Sequence, residues 1–198
     1  MAITTEMIKD LREKTGAGVL DCRKALQEAL GDMEKAIAIL REQGLAKAAK
    51  KAERAARDGI VEAYVHPGAR LAAIVEVNCE TDFVARTPEF KALAHDLAMQ
   101  IAAARPLYVS KDEVPPELVE AERKTYLAQL AEENKPPQVI ENIIAGKLNK
   151  LYEQIVLLEQ PFIKDETIKV GNLVAQHIAR LGENIVVHRF ARFAIGEE

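Results

Sequence analysis

Arg70-Leu71-Ala72-Ala73-Ile74-Val75-Glu76-Val77, then Asn78-Cys79-Glu80-Thr81-Asp82-Phe83-Val84-Ala85-Arg86, then Thr87-Pro88-Glu89, carries the chain from a strand through a polar connection into a helix. The first run is rich in β-branched residues and apolar on both faces, so it reads as a strand covered by neighbours. Thr87 suits an N-cap and Pro88 the first helical position, opening an apolar-periodic helix from Glu89 to about Ala104. Phe83 therefore falls on the connection, flanked by Asp82 and Arg86. One reading folds the ring back onto the helix as a local core anchor, the fate of most aromatics. The other presents it to a partner's pocket, where such a ring is worth about 2 kcal/mol or more.

Upstream, Gly59-Ile60-Val61-Glu62-Ala63-Tyr64-Val65 pairs with Arg70–Val77 through His66-Pro67-Gly68-Ala69 as a hairpin, and Ile185–Ile195 supplies a third strand. Between them the pattern is helical: Glu89–Ala104, Pro116–Asn134, Pro137–Leu158 and Val170–Leu181, broken by Pro115-Pro116, Pro136-Pro137 and Pro161. Leu127, Leu130, Ile140, Ile143, Ile144, Leu148, Leu151 and Ile155 are enough apolar positions for a helical hairpin over about 116–158. The sheet is apolar on both sides. Val61, Ala63 and Val65 oppose Ile60 and Tyr64, while Ile185, Val187 and Ile195 oppose Val186 and Phe190. Helices cover one face, and an exposed apolar second face is unfavourable in a monomer, so a homodimer closed through the sheets is expected.

The N-terminal part, 1–45, holds three short amphipathic patterns. Met7, Ile8 and Leu11 precede a stop at Thr15-Gly16-Ala17-Gly18; Val19, Cys22, Leu26 and Leu30 precede Gly31; Asp32 opens a third, with Met33, Ala36, Ile37 and Leu40 before Gly44. A module this short has a small core and leans on what it packs against. Residues 46–58, with alanine between Lys47, Lys50, Lys51, Arg54 and Arg57, read as a basic linker helix ahead of a 59–198 core and dimerisation domain. The expected fold is thus α+β: a three-helix module, a linker helix, and a small three-stranded antiparallel sheet packed with helices and a helical hairpin.

A hydrophobic content of 48%, with 29% charged residues, is that of a globular chain, and a net charge of -4 argues against a dedicated nucleic-acid binder. Cys22 and Cys79 lack partners at metal-ligand spacing, so neither a disulfide framework nor a metal site is expected. Met1–Asp10 has no apolar signal core and no run reaches membrane-spanning length, so the expectation is cytoplasmic and membrane-free. A nucleophile elbow, HExxH, a Walker loop and a dinucleotide fingerprint are all missing. Gly16-Ala17-Gly18 follows a helix and has Asp21 where a third glycine would stand, which makes it a helix stop. Neither catalytic residues nor a cofactor are expected. Two other classes stay in view: an RNA-binding module using the Lys47–Arg57 stripe, and an enzyme using Cys79 or Asp82.

Lys9-Asp10-Leu11-Arg12-Glu13-Lys14-Thr15-Gly16-Ala17-Gly18-Val19-Leu20-Asp21-Cys22-Arg23-Lys24-Ala25-Leu26, together with Val75–Ala85, resembles the elongation factor Ts family. The likeness continues through the lysine- and alanine-rich linker, Gln160-Pro161-Phe162 and Leu181-Gly182-Glu183-Asn184-Ile185, covering nearly the whole chain in order. It implies a nucleotide exchange factor for GDP-bound elongation factor Tu. It also implies a first module similar to ubiquitin-associated domains, docking through Arg12, Val19, Leu20 and Arg23. Many relatives carry two methionines where this chain has Val19-Leu20, a stiffer and smaller pair. By the same resemblance, Thr81, Asp82, Phe83 and Val84 enter the partner near its nucleotide-bound Mg²⁺, while Leu181, Gly182 and the His66 hairpin loop add further contacts. Longer relatives hold two copies of the sheet module; this chain has one, which strengthens the expectation of a dimer.

Overall fold

Thr4 starts the first helix, its hydroxyl accepting from Met7 N at 3.3 Å, and Gly16 ends it in the left-handed region at φ 66°, its N–H donating to Arg12 O at 2.7 Å. In this computed structural model, which describes residues 3–130 and 136–197, that helix is α1 (Thr5–Thr15), followed by α2 (Val19–Glu28) and α3 (Met33–Ala49). Leu11, Cys22, Ala25, Leu26, Ala29 and Ala36 form their shared buried centre, with Met7, Ile8, Met33, Ile37 and Leu40 packed around it. Asp32 caps α3 by accepting from Lys35 N at 3.1 Å. One expectation is corrected here. The third helix does not stop before Gly44 but continues to Ala49, and residues 50–57 are turn and irregular chain rather than a separate helix over 46–58. A single interior glycine costs only about 1 kcal/mol, and the alanine-rich stretch after it favours the helix. Gly44 is buried, and a Cβ there would sit at ordinary contact distance, 3.7 Å, from the Ala179 methyl.

The remaining elements are β1 (Asp58–Val65), β2 (Leu71–Cys79), α4 (Asp82–Ala85), α5 (Pro88–Ala104), α6 (Pro116–Leu130), α7 (Pro137–Ile155), β3 (Pro161–Phe162), β4 (Asp165–Lys169), α8 (Val170–Leu181) and β5 (Ile185–Ala194), with 3₁₀ turns at Lys111–Glu113 and Leu157–Glu159. The mixed helix-and-sheet architecture is the α+β fold expected. The main sheet runs in the order β1-β2-β5. The hairpin closes through His66 N to Leu71 O at 2.8 Å, and β5 runs antiparallel to β2, with Ile195 N donating to Arg70 O and Arg189 pairing with Glu76. The end of the expected Pro116–Asn134 helix beyond Leu130 lies outside the described residues.

The chain divides into two compact units. The first, Met1–Ile60 with Val77–Leu93 and Asn172–Val186, contains the three-helix module, the connection after β2 and most of α8. Leu11, Leu26, Val77, Phe90, Leu93, Ile178 and Ile185 are buried within it. The second unit is Val61–Glu76 with Ala94–Gly171 and Val187–Glu198. Its core includes Val75, Leu97, Ile101, Val156, Leu157 and Phe162. There the buried Gln100 amide donates to Gln160 Oε1 and Pro161 O and accepts from Ile163 N, satisfying the start of a β3–β4 ribbon that the sequence reading had not anticipated. Arg123 grips Glu141 with two bonds at 2.9 and 3.0 Å, tying α6 to α7.

Strand alternation is kept in β2, where Ala73, Val75, Val77 and Cys79 are buried and Ile74 is exposed. In β5 it slips. His188 and Arg189 are both exposed, after which Arg192 reaches back to donate to Ala102 O. Ile195, expected to share a face with Ile185 and Val187, is consequently exposed, as is Phe193 at 71%.

Candidate functional site

Between β2 and α5 the backbone makes one short helical turn, α4, in place of an open loop. Thr81 caps it, its hydroxyl accepting weakly from Val84 N at 3.4 Å and donating to Glu183 Oε1 at 2.6 Å. The other oxygen of Glu183 accepts from the backbone N–H groups of Glu80 and Thr81 at 3.1 and 3.0 Å. Glu80 returns the arrangement, accepting from Asn184 N at 2.7 Å, while the buried Asn184 amide donates to Arg54 O at 2.8 Å. Charge-assisted bonds of this sort are about twice as strong as neutral ones. They fix the N-terminal end of the turn.

Phe83 emerges from that braced turn and is 80% exposed. The ring is therefore not a local core anchor. Asp82 makes an ion pair with Arg86 at 2.7 Å across the turn, and Val84 is half-buried. Thr81 is also half-buried, with its hydroxyl committed to Glu183, so its role is to hold the turn. Beneath it Cys79 is fully buried and its thiol donates to Thr81 O at 3.2 Å; burial, aided by the nearby Glu183 charge, pushes that thiol up to about 11. A thiol so placed is inert.

The N-terminal candidates are surface residues. Val19 and Leu20 are 51% and 69% exposed at the first turn of α2, and Arg12 and Arg23 are exposed as well. They belong to the first unit, as do Leu181 and Gly182. Leu181 is half-buried; Gly182 ends α8 at φ 83°, its N–H donating to Ile178 O at 3.1 Å. Gly182 immediately precedes the glutamate that braces the Phe83 turn, so this pair and the turn are brought together. Arg12 shares an open cleft with Lys9, Glu13, Gly16, Glu89 and Arg180. His66, in the second unit, is exposed at the hairpin tip, its Nδ1 in a hydrogen bond with Tyr64 Oη at 3.0 Å.

The basic stripe is partly neutralised: Lys47 pairs with Asp21 at 2.7 Å and Arg54 with Glu80 at 3.5 Å. Among the described residues, no three His, Cys, Asp or Glu side chains gather where they could hold a metal ion, and no helix is long and apolar enough to cross a membrane. What the arrangement offers is exposed side chains: an aromatic ring on a braced turn, an apolar pair and two arginines.

A family model described as "Elongation factor TS" matches residues 5–197. The chain is similar to an elongation factor Ts of Carboxydothermus hydrogenoformans, 56% identical over 195 residues that cover 98% of this chain and 90% of that one. It is 55% identical over 196 residues to an elongation factor Ts of Herpetosiphon aurantiacus, covering 99% of both. With an elongation factor Ts of a Synechococcus strain it shares 55% identity over 198 residues, all of this chain and 70% of the other.

Proposed function

The chain belongs to the elongation factor Ts family, and from that premise we propose that it is a guanine-nucleotide exchange factor of translation elongation, binding GDP-bound elongation factor Tu in the cytoplasm and promoting GDP release without catalysing a chemical reaction. Phe83 is the wedge. Its ring enters the partner beside the nucleotide-bound Mg²⁺, displaces the groups that hold the ion, and the nucleotide leaves. The factor and GDP then weaken each other's binding by the same factor, as linkage requires. Burial of one phenyl ring supplies about 1.5–3 kcal/mol toward that strain. The observation that carries this reading is the pairing of an 80% exposed ring with a turn whose backbone is fixed by Glu183. A mobile turn would lose part of that energy to ordering.

Arg12, Val19, Leu20 and Arg23 dock the N-terminal module, similar to ubiquitin-associated domains, on the partner, and Leu181, Gly182 and His66 add contacts. Asp82 and Val84 shape the inserted turn. The exposed apolar side chains of the second unit, Val61, Val65, Ile74, Phe193 and Ile195, are covered by a second copy of the chain.

Release of fluorescent GDP from elongation factor Tu, followed with increasing concentrations of this protein, tests the proposal. The wild type accelerates release, and Phe83→Ala abolishes most of the acceleration while unfolding at the same temperature. No acceleration by the wild type would end the exchange reading. An F83A variant that exchanges normally would end the wedge.

A further inference from the structure

We infer that Arg180 is a positioning residue: a strut that fixes the N-terminal module against the base of the Phe83 turn, so that the contact patches of the first unit meet their partner in one register. The guanidinium lies over Gly16, at the left-handed end of α1, where its Nε and Cζ occupy the place a Cβ would take. The same Nε approaches Glu89 Oε1 at 2.8 Å. That carboxylate oxygen is shielded from solvent and has no aligned hydrogen-bond donor among the described residues, so Arg180 is the charge that compensates it.

The three ends of this contact are informative. Gly16 closes the helix that carries Arg12 and precedes Val19 and Leu20 by one turn. Glu89 stands in the first turn of α5, a few residues after Phe83. Arg180 is in the last turn of α8, next to Leu181 and Gly182. One side chain thus touches the root of each first-unit patch proposed to bind the partner, leaving only the His66 loop of the second unit outside its reach. Gly16 serves twice, since it adopts φ 66° and leaves room for the planar group. A lysine keeps a charge for Glu89 but has no plane to lie on the glycine. Without the strut, partner binding must first order the module, which weakens docking and leaves the step made by Phe83 unaltered. The consequence for docking rests on the exchange reading; the strut itself does not.

The test separates the two. With Lys24→Cys and Lys91→Cys as spin-label sites, both exposed, and Cys22 and Cys79 buried and unlabelled, the distance distribution is measured in the full chain without any partner. It is narrow in the wild-type background, broad in R180A, and partly narrowed again in R180K, which also serves if R180A folds poorly. In the GDP-release titration R180A raises the half-saturating factor concentration about fivefold, the effect of losing one well-placed ion pair, with the saturating rate unchanged. An unchanged distance distribution in R180A and R180K overturns the strut whatever the release assay gives. A broadened distribution with unaltered half-saturation overturns its part in docking. Failure of the wild type to release GDP overturns the exchange reading and leaves the distance result to decide the strut.

Discussion

Phe83 and the strand side chains Val61, Val65, Ile74, Phe193 and Ile195 all leave apolar carbon in water, but the backbone beneath them is held differently. The ring stands alone on a four-residue helical turn, and that turn is pinned by a distant carboxylate accepting from two backbone N–H groups and a hydroxyl. The strand residues stand on β1, β2 and the far end of β5, with Ile195 just past it, and several neighbouring side chains are exposed together. A single ring on a braced backbone suits insertion into a pocket, since its point of attachment is ordered before binding. A broad, flat, apolar strand face suits a like surface, because its energy comes from area and needs no one side chain in one place. Exposure alone gives both the same meaning; the way the backbone is restrained is what the proposed roles rest on.

The sharpest way to break this contrast is at its ends. Phe83→Ala should lower the maximal acceleration of GDP release by tenfold to a hundredfold, on the scale of about 1.5–3 kcal/mol for a buried ring, and leave the urea midpoint within experimental scatter because the ring is exposed. Glu183→Ala should do both kinds of damage. It leaves three donors without their acceptor, so folding stability should fall by about 2–3 kcal/mol in urea titration, and exchange should fall with it as the ring loses its mount. If E183A destabilises the chain but exchanges at the wild-type rate, rigidity of the turn is irrelevant to insertion. On the strand side, Phe193→Asp should weaken self-association by about tenfold or more in sedimentation at micromolar concentration, and lower the melting temperature only as far as association stabilises the fold, since that side chain is exposed within one chain. A wild type that sediments as a monomer removes the second half of the comparison.

Much of this was readable because the signals are local. Thr87 and Pro88 announced α5, and Thr87 Oγ1 indeed accepts from Phe90 N at 3.2 Å. The period-two and helical patterns located β1, β2, β5 and α8 to within a residue or two. The connection after β2 is legible as a strand-to-helix link, yet nothing in its own residues discloses the brace, because Glu183 lies 102 positions from Thr81 and a carboxylate meeting backbone N–H groups leaves no sequence pattern. Thr81 stands among the contact residues through the family resemblance alone; that its hydroxyl donates to Glu183 is visible only in the structure. Gly44 misled for another reason: helix propensity is a weak prior, and one buried glycine inside an alanine-rich run does not end a helix. Ile195 was assigned by strict alternation, which fails wherever a strand slips by one position. The β3–β4 ribbon was missed because its first strand is two residues long and begins with proline.

The smallest expected effect is also the one that probes the brace without cutting it. Cys79 sits under the Phe83 turn with its thiol donating to Thr81 O, and burial raises it from 9.0 to about 11. In the unfolded chain the thiol ionises near its ordinary value, while in the folded chain it holds its proton for longer. The folded state therefore binds more protons across that interval. Its contribution to stability is complete below pH 9.0 and is lost as the pH rises toward about 11. Wild-type stability should decline more steeply than that of Cys79→Ala between these values, and the two curves should run parallel below pH 8, where both thiol states are neutral. Lysine and tyrosine titrations are common to both proteins and cancel in the difference. Parallel curves throughout would mean that solvent reaches the thiol, and with it that the turn beneath Phe83 opens far more readily than its hydrogen bonds suggest. Alkylation by iodoacetamide at pH 8 gives an independent reading of the same opening: slow in the native protein, fast once urea unfolds it.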